Sequence, residues 1–481
     1  MTADISKPHK AYQEMAKDWE LPEALVGGTP TMRSAGVTFL PQEPRESGGA
    51  YSVRLNRSFL FNGYGATLRM LSSKPFQKEI TESGEVSPQF RDILDDVDIC
   101  GSNISKFGRA VFEDAMQYGL THILVDMPSR NPDENIDIAS QAENNIRPYL
   151  VGVSAKSLIS WTSEFRKGAN VLTSATIKSK KWKNVGNTQE LVFVYIIISE
   201  HTIEVYEADK ENSKPKLLET KVNTLGIVPI VTCYSNKTGF MTGKPPMSDL
   251  AYTNLNHWQS YSDQRNILRI ARVPFLLATG FSSQGESDDS GNHIAGTSEL
   301  ESVMTISPNS LAASSNEKAN LKYVEHGGAG IEAGEKDLAN LKLEMAVQGA
   351  TFIIPKEGKM TATEFKGNSG SIQSELQSIV MCFQDTMNEA VNIMAKWLQI
   401  EEPNFTLEVH KDFNASLDDA SVEVLLKLRQ AGQITQQTLL NELKRRNVLA
   451  DSLVIEDEID LTGEEDNALN ALSPTNFGEG V

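Results

Sequence analysis

A chain of 481 residues can bury a large core, and 40% apolar with 23% charged residues is the balance of an ordinary globular protein, with room for roughly two to four substructures. The formal charge of -19 argues against a tight grip on nucleic acid, which rests on Lys and Arg displacing counterions from phosphates, so any contact with DNA is expected to be weak or local. The longest apolar run, Leu191 to Ile198, has about eight residues against the roughly 20 of a membrane helix.

In chain order, the first forty or so residues are polar and punctuated by Gly and Pro, without the apolar block of a secretory signal. Ser52 to Met70 mixes apolar and basic residues without a clear period. Ile104, Phe107, Val111 and Ala115 then share one helical face, and Gly119 is placed to close that helix. His122 to Asp126 reads as a buried strand and Arg147 to Val151 as the next extended piece. From Val171 to Val231 the β-branched and aromatic runs Leu191 to Ile198, Thr202 to Tyr206 and Leu217 to Val222 alternate with polar turns, predicting an antiparallel meander.

A helix is expected from Ser248, a candidate N-cap, through Leu255, Trp258, Tyr261 and Leu268 to Pro274. After it, a stretch rich in Ser, Gly, Asn and Ala holds three short strand candidates, Phe275 to Ala278, Val303 to Ile306 and Leu321 to Val324. A polar segment this long between two helices is an excursion from the body. A second helix, Ile331 to Val347, returns from it, and a loop from Ala350 to Gly367 follows.

Ile372, Leu376, Ile379, Phe383, Met387, Ala390, Met394 and Trp397 then form one apolar stripe on a helix about 40 Å long, at roughly 1.5 Å per residue. Phe405 to Val409 reads as a strand, and two short helices, Asp418 to Ala431 and Gln436 to Arg446, come before the C-terminal stretch. After Ala450 acidic residues such as Glu456, Asp457, Glu458 and Asp460 meet no Lys or Arg, which predicts a solvated, disordered tail.

Chemistry-bearing motifs are sparse. Cys100, Cys233 and Cys382 are odd in number and far apart, so they suggest neither a disulfide framework nor a zinc site, and all three are expected to be buried thiols in a reducing cytosol. Gly328, Gly330 and Ala333 complete a Gly-x-Gly-x-x-Ala pattern after a strand candidate and before a helix, as in dinucleotide-binding proteins. Against it, Leu321 to His326 is too polar for a central parallel strand and no further strand-helix-strand units follow. The glycines also lack the Gly-Lys-Ser/Thr of a phosphate-binding loop, and the histidines show no metal-ligand spacing. His257 reads as a packed or interfacial side chain rather than a base.

Arg265, Arg269 and Arg272 stand at i, i+4 and i+7, forming one basic edge on the first helix. The second helix carries Glu332, Glu335, Asp337 and Glu344, so neighbouring helices of two subunits could pair these charges. In the loop before the long helix the basic residues are Lys356, Lys359 and Lys366, nearly cancelled by Glu357 and Glu364. On a symmetric ring they would repeat around the axis and could touch phosphates weakly.

Several segments, in this order, carry a resemblance. They are Tyr51, Arg54-Leu55, Arg57-Ser58 and Pro75-Phe76; Gly119 with Ile123 to Pro128, and Arg147-Pro148-Tyr149 through Ile159-Ser160-Trp161; Asn256-His257-Trp258 and Pro274 to Gly280; and Thr361-Ala362-Thr363-Glu364 before a long helix. In these the chain resembles the portal, or head-to-tail connector, proteins of tailed bacteriophages. The resemblance implies an α+β portal fold with an N-terminal wing (1–247), a first stem helix (248–274), a clip (275–330) and a second stem helix (331–349). A tunnel loop (350–367), a long helix (368–400), a strand returning to the wing (401–415), a helical crown (416–450) and an acidic tail (451–481) complete it.

It further implies a homo-oligomeric ring, a dodecamer, at one vertex of the virion capsid, assembled in the host cytoplasm and passing double-stranded DNA during packaging and ejection. Terminase and tail adaptor would meet the clip, and capsid and scaffold proteins the wing, with no catalysis, cofactor or metal. Another ring-forming virion protein, such as a tail adaptor, is the alternative, with the dinucleotide-binding enzyme behind it.

Overall fold

The computed structural model describes residues 5–128, 147–211, 213–272, 275–279, 320–324, 328–349, 362–400, 403–411, 413, 419–445, 448–449 and 453–462, and their fold is α+β. The N-terminal stretch without a visible period is helical: α1 (Lys10–Val26), α2 (Gly28–Ala35), α3 (Gly48–Arg57) and α4 (Gly63–Ser73). Each buries only a few large side chains, such as Trp19 on α1, Met32 on α2 and Leu68 on α4, so no single helix carries a long stripe. Strand β1 (Thr81–Gly84), α5 (Pro88–Asp95) and α6 (Ile104–Tyr118) follow.

Side-chain oxygens of Ser47, Ser87 and Asn103 accept the backbone N–H three residues on and so cap α3, α5 and α6. Gly119 ends α6 as expected, in the left-handed region at φ 91°, its N–H donating to the Ala115 carbonyl. A Cβ at Gly119 would lie 2.6 Å from the Lys244 backbone nitrogen, so both conformation and space require glycine.

Strand β2 (Leu120–Asp126) is the buried strand expected near His122, and it lies between β3 (Tyr149–Ser154) and a later strand in an antiparallel sheet. The meander is β4 (Leu158–Arg166), β5 (Ala169–Val185), β6 (Thr188–Ser199), β7 (Thr202–Ala208) and β8 (Lys216–Val222), paired in sequence order. Strand β9 (Ile230–Tyr234) closes the three-stranded sheet, and the short pair β10 (Lys237–Gly239) and β11 (Thr242–Gly243) leads to α7 (Ser248–Ala271).

Ser248 Oγ donates to the Pro245 carbonyl at 2.7 Å, so its hydroxyl braces the preceding turn instead of accepting the N–H of an N-cap. Then come β12 (Phe275–Thr279), β13 (Asn320–Val324), α8 (Ala329–Val347), α9 (Ala362–Trp397), β14 (Phe405–Glu408), α10 (Asp419–Gln430) and α11 (Gln436–Arg445).

Two expectations about element ends need correction. The long helix α9 begins at Ala362, inside the stretch 350–367 read as a loop, so Gly367 and Gly370 are helical despite a cost of about 1 kcal/mol for each interior glycine. The acidic tail is not structureless throughout: residues 455–462 form a further helix, α12. Lys444 Nζ reaches the Leu453 carbonyl at 2.8 Å, and Gln436 Nε2 reaches Thr462 Oγ1 at 3.1 Å, so α11 supplies the polar partners that the tail itself lacks.

The chain divides into two compact units: residues 23–65 group with 249–357, and 1–22, 66–248 and 358–481 form the other. In this second, larger unit one core joins Trp19, Leu124, Leu158, Trp161, Ile177 and Ile198. Trp19 Nε1 donates to the Tyr118 carbonyl at 2.9 Å, which satisfies the buried indole. Asp114 on α6 accepts from Thr121 Oγ1 (2.7 Å) and Ser154 Oγ (3.1 Å), tying the helix to β2 and β3, and burial raises its carboxyl above the ordinary range.

The stripe of α9 lies in the same unit. Phe383 is fully buried and meets Phe76 and Phe112 edge to face, with ring centroids 5.8 and 5.3 Å apart. Gly108 on α6 leaves room for it, since a Cβ there would lie 3.1 Å from Phe383 Cζ. Asn388 then clamps β14, its Oδ1 accepting the Leu407 N–H at 2.7 Å and its Nδ2 donating to the Leu407 carbonyl at 3.2 Å. Strand β14 pairs antiparallel with β1.

Of the three thiols, Cys233 is buried and Cys382 half-buried, but Cys100 is exposed, against expectation. It sits in a turn whose backbone N–H groups at Cys100 and Ser102 bond Asp98 Oδ1, and such a turn leaves the side chain at the surface.

Candidate functional site

The smaller unit holds His257, the basic edge of Arg265, Arg269 and Arg272, and the acidic residues Glu332, Glu335, Asp337 and Glu344. Its framework is α7, whose buried face is polar: Asn254, His257, Ser262 and Gln264 are buried beside Trp258. Asn254 is a two-way latch, its Oδ1 accepting the Tyr64 N–H at 2.9 Å and its Nδ2 donating to the Phe61 carbonyl at 2.8 Å. These bonds satisfy backbone groups at the start of α4, where the helix leaves orphan donors.

His257 stacks on Tyr261 with centroids 6.0 Å apart, tilts against Phe61, and has neither ring nitrogen hydrogen-bonded. Burial, reinforced by the Lys342 charge, lowers it to about 4, so it is a neutral packed ring at physiological pH.

Helix α8 approaches α7 closely at one point. Gln264 Nε2 donates to the Ile331 carbonyl at 2.9 Å, and the place a Cβ on Gly334 would fill is taken by the Gln264 side chain. The glycines that weaken the start of α8 therefore have a packing reason at Gly334. Gly328, just outside the helix, has φ +61°, which glycine adopts without strain.

The dinucleotide reading of Gly328, Gly330 and Ala333 does not fit this geometry. Strand β13, which precedes them, pairs antiparallel with β12 in a two-stranded ribbon from Phe275↔Val324 to Thr279↔Asn320, whereas the fingerprint requires a parallel strand-helix-strand crossover. Val303 to Ile306 lie outside the described residues, as do Lys356 and Lys359 of the expected tunnel loop. Lys366 falls in the first turns of α9 rather than in a loop.

Among the described residues Arg265, Arg269 and Arg272 form no ion pair with Glu332, Glu335, Asp337 or Glu344 of the same chain. The three arginines instead join Arg54 and Arg57 of α3 around a pocket of about 390 Å³, also lined by Ser58 and Ser262. Arg54 is the fixed member. Its Nε and Nη2 bond the two oxygens of Glu46 at 2.8 Å each, Nη2 also donates to the Pro41 carbonyl at 2.7 Å, and Asp263 Oδ1 lies 3.5 Å from Nη1.

The hydrogen bond from Arg54 holds the Glu46 carboxyl below its ordinary range. Asp263 moves the other way, raised by burial and by Glu43 and Glu46, with Arg54 opposing. Beneath the pocket the Ser58 and Ser262 hydroxyls are hydrogen-bonded at 2.8 Å, and Arg33 donates twice to the Ser58 carbonyl, at 3.0 and 2.8 Å. The row on α7 is legible from its spacing. Arg54 and Arg57 lie some two hundred residues earlier in sequence, and their short helix shows no period to mark its inward face.

No helix of the described residues is long and apolar enough to cross a membrane. In comparison with known proteins, residues 246–398 match the model of a family described as a domain of unknown function, DUF4055, which covers less than half of the chain and takes in α7, the ribbon, α8 and α9. No curated protein matches. Among solved structures the chain is similar to a chain in the neck of a native gene transfer agent particle computed with C12 symmetry, at 12% identity and a TM-score of 0.40, covering 93% of this chain and 100% of that one. It is also similar to a chain in the neck of the empty particle computed with C6 symmetry, at 11% identity and a TM-score of 0.38, covering 86% and 90%. A third match is to the virion of the native particle, at 11% identity and a TM-score of 0.40, covering 79% and 89%.

Proposed function

We infer that this chain is the subunit of a portal ring: a homo-oligomer, a dodecamer, at one capsid vertex of a phage-like particle. Double-stranded DNA enters its axial channel during packaging and leaves through it toward the tail. The observation that carries this reading is the order of elements after Ser248. A 24-residue helix runs out, an antiparallel ribbon turns the chain, a 19-residue helix returns, and a 36-residue helix about 54 Å long follows.

An outgoing helix, an excursion and a returning helix suit a stem and clip, and the long helix suits a spine behind a tunnel loop. Terminase and, later, a tail adaptor would dock on the clip, while capsid or scaffold protein would meet the wing. The role is mechanical, a conduit and valve without catalytic groups. Duplex DNA carries one charge per about 1.7 Å of axis, so a largely acidic or polar lining lets it slide without sticking. Electron microscopy of the purified full-length protein, viewed down its axis, is expected to show closed rings. A monomer under every condition of salt and concentration would remove the proposal.

Within that role Lys356, Lys359 and Lys366 are assigned weak phosphate contacts around the bore. Replacing all three with Glu is expected to leave ring assembly intact and to lower retention of packaged DNA, read as the fraction of particles that keep a full genome. Unchanged packaging and retention would show that the assigned phosphate contacts are wrong.

A further inference from the structure

The pocket between α3 and α7 brings together more positive charge than its carboxylates neutralise. Glu46 is committed to Arg54 through both oxygens, and Asp263 reaches the same guanidinium. Arg57, Arg265, Arg269 and Arg272 are exposed and form no ion pair among the described residues, although all four line the one cavity. Arginine cannot relieve such crowding by losing its proton, because its pKa lies far above physiological pH. The cluster therefore concentrates positive charge that an anion from outside the described residues would neutralise.

The chemistry of the cluster selects the kind of anion. A side-chain carboxylate offers two oxygens on one edge and takes one guanidinium fork in the bidentate geometry, as Glu46 takes Arg54. A phosphoryl group offers three or four oxygens on one centre and can take several forks at once. The acidic residues of α8 match less well by this measure: even Glu332 and Glu335, neighbours three positions apart, present two separate carboxylates rather than several oxygens on one centre, and Glu344 stands seven positions beyond Asp337, about 10 Å along the helix. The cavity is also built before any ligand arrives, since Arg54 is only 5% exposed at its side chain and the paired Ser58 and Ser262 hydroxyls lie beneath it.

We propose that the pocket formed by Arg54, Arg57, Arg265, Arg269 and Arg272 is a binding site for a phosphoryl group, carried either by a nucleic-acid backbone or by a free phosphate anion. Arg54 acts as the fixed floor, and the other four close on the ligand. This assignment does not depend on the portal reading, which would survive its loss.

The test is a pair of equilibrium titrations of the full-length protein at about 50 mM salt, one with inorganic pyrophosphate and one with a short DNA duplex, repeated on Arg57→Gln/Arg269→Gln. Both substitutions fall on exposed side chains, so urea unfolding of the variant is expected to match the parent. Binding of either ligand that weakens about tenfold or more for each arginine removed supports the proposal, given the strength of charge-assisted hydrogen bonds. Binding of pyrophosphate alone identifies a free anion, and binding of the duplex with the same dependence identifies a backbone. Failure of both ligands to bind, or equal binding by the variant, overturns the proposal. So does a peptide of residues 329–347 that displaces pyrophosphate at lower concentration than the duplex does, which would assign the pocket to carboxylates of a second copy.

Discussion

At Gly119 both the backbone conformation and the surrounding space select glycine. Gly119 combines a left-handed backbone with the close approach of Lys244, so Gly119→Ala adds roughly 1–2 kcal/mol of conformational strain to a steric clash with backbone. Urea unfolding is expected to show a loss of about 2 kcal/mol or more, whereas a neutral result would mean that the 244 turn moves freely. Arg54 is a different case, because its charge is buried. Glu46→Gln would leave that charge without a full partner, and breaking a buried pair typically costs about 3 kcal/mol.

Two buried histidines make stability depend on pH in a direction that can be worked out. Burial lowers His122 to about 3 and His257 to about 4, against 6.5 in the unfolded chain. Between those values and 6.5 the unfolded state binds protons that the folded state does not, so stability rises with pH across that range. The contribution is complete above about pH 6.5 and drains away as pH falls toward 4. Chemical denaturation from pH 7 to pH 4 should follow that decline, and His257→Leu is expected to remove about half of the histidine share of the slope. A slope unchanged by that substitution would place the proton uptake elsewhere.

At the scale of elements, what could be read in advance was what local pattern alone dictates. Helix α6 announced itself through four apolar positions on one face and a closing glycine, and the meander through β-branched runs whose turns are polar. The stripe of α9 predicted its buried face residue by residue, from Leu376 through Met394. Its first turns went unseen because Gly367 and Gly370 look like loop punctuation, and only the folded chain shows that the helix continues through them. Helices α1 to α4 were missed for a complementary reason: the polar Ser47 cap precedes two glycines, and the apolar residues are spread over short segments whose partners lie far along the chain. The arginine pocket was half legible, since one helix carries its period and the other does not.

The stripe of α9 also yields a quantitative expectation. Phe383 fills the space between Phe76, Phe112 and the bare backbone of Gly108, and removing a buried phenyl ring typically costs about 3–5 kcal/mol. Phe383→Ala should therefore lower the unfolding free energy of the larger unit by that amount in urea. Met381 is 56% exposed on the same helix, so Met381→Ala serves as the control and is expected to change little. Equal effects at the two positions would mean that the stripe is not the buried face.

For the whole molecule the dominant quantity is the charge of -19 on every copy. Association of like-charged subunits is opposed at low ionic strength, and added salt relieves that repulsion once the screening length falls to about 10 Å near 0.1 M. If neighbouring copies also pair the basic edge of α7 with acidic residues of α8, those exposed contacts contribute only about 0.2–1 kcal/mol each and weaken as salt rises further. In that case the two effects run in opposite directions, and the yield of the proposed ring would not change monotonically with salt. Where that pairing contributes, the yield climbs from about 10 mM to a maximum near 0.1–0.2 M and falls again toward 1 M, where the screening length is about 3 Å; where the arginines of α7 hold a phosphoryl group instead, the yield only climbs. Analytical ultracentrifugation across that series reads the yield directly. A yield that only climbs would mean that apolar surface alone holds the copies together and that the arginines of α7 serve another ligand. If that pairing contributes, Arg265→Glu reverses one of its charges, and the maximum should shrink while the rise at low salt persists, because the substitution changes one local contact and adds only two charges to a subunit already far from neutral.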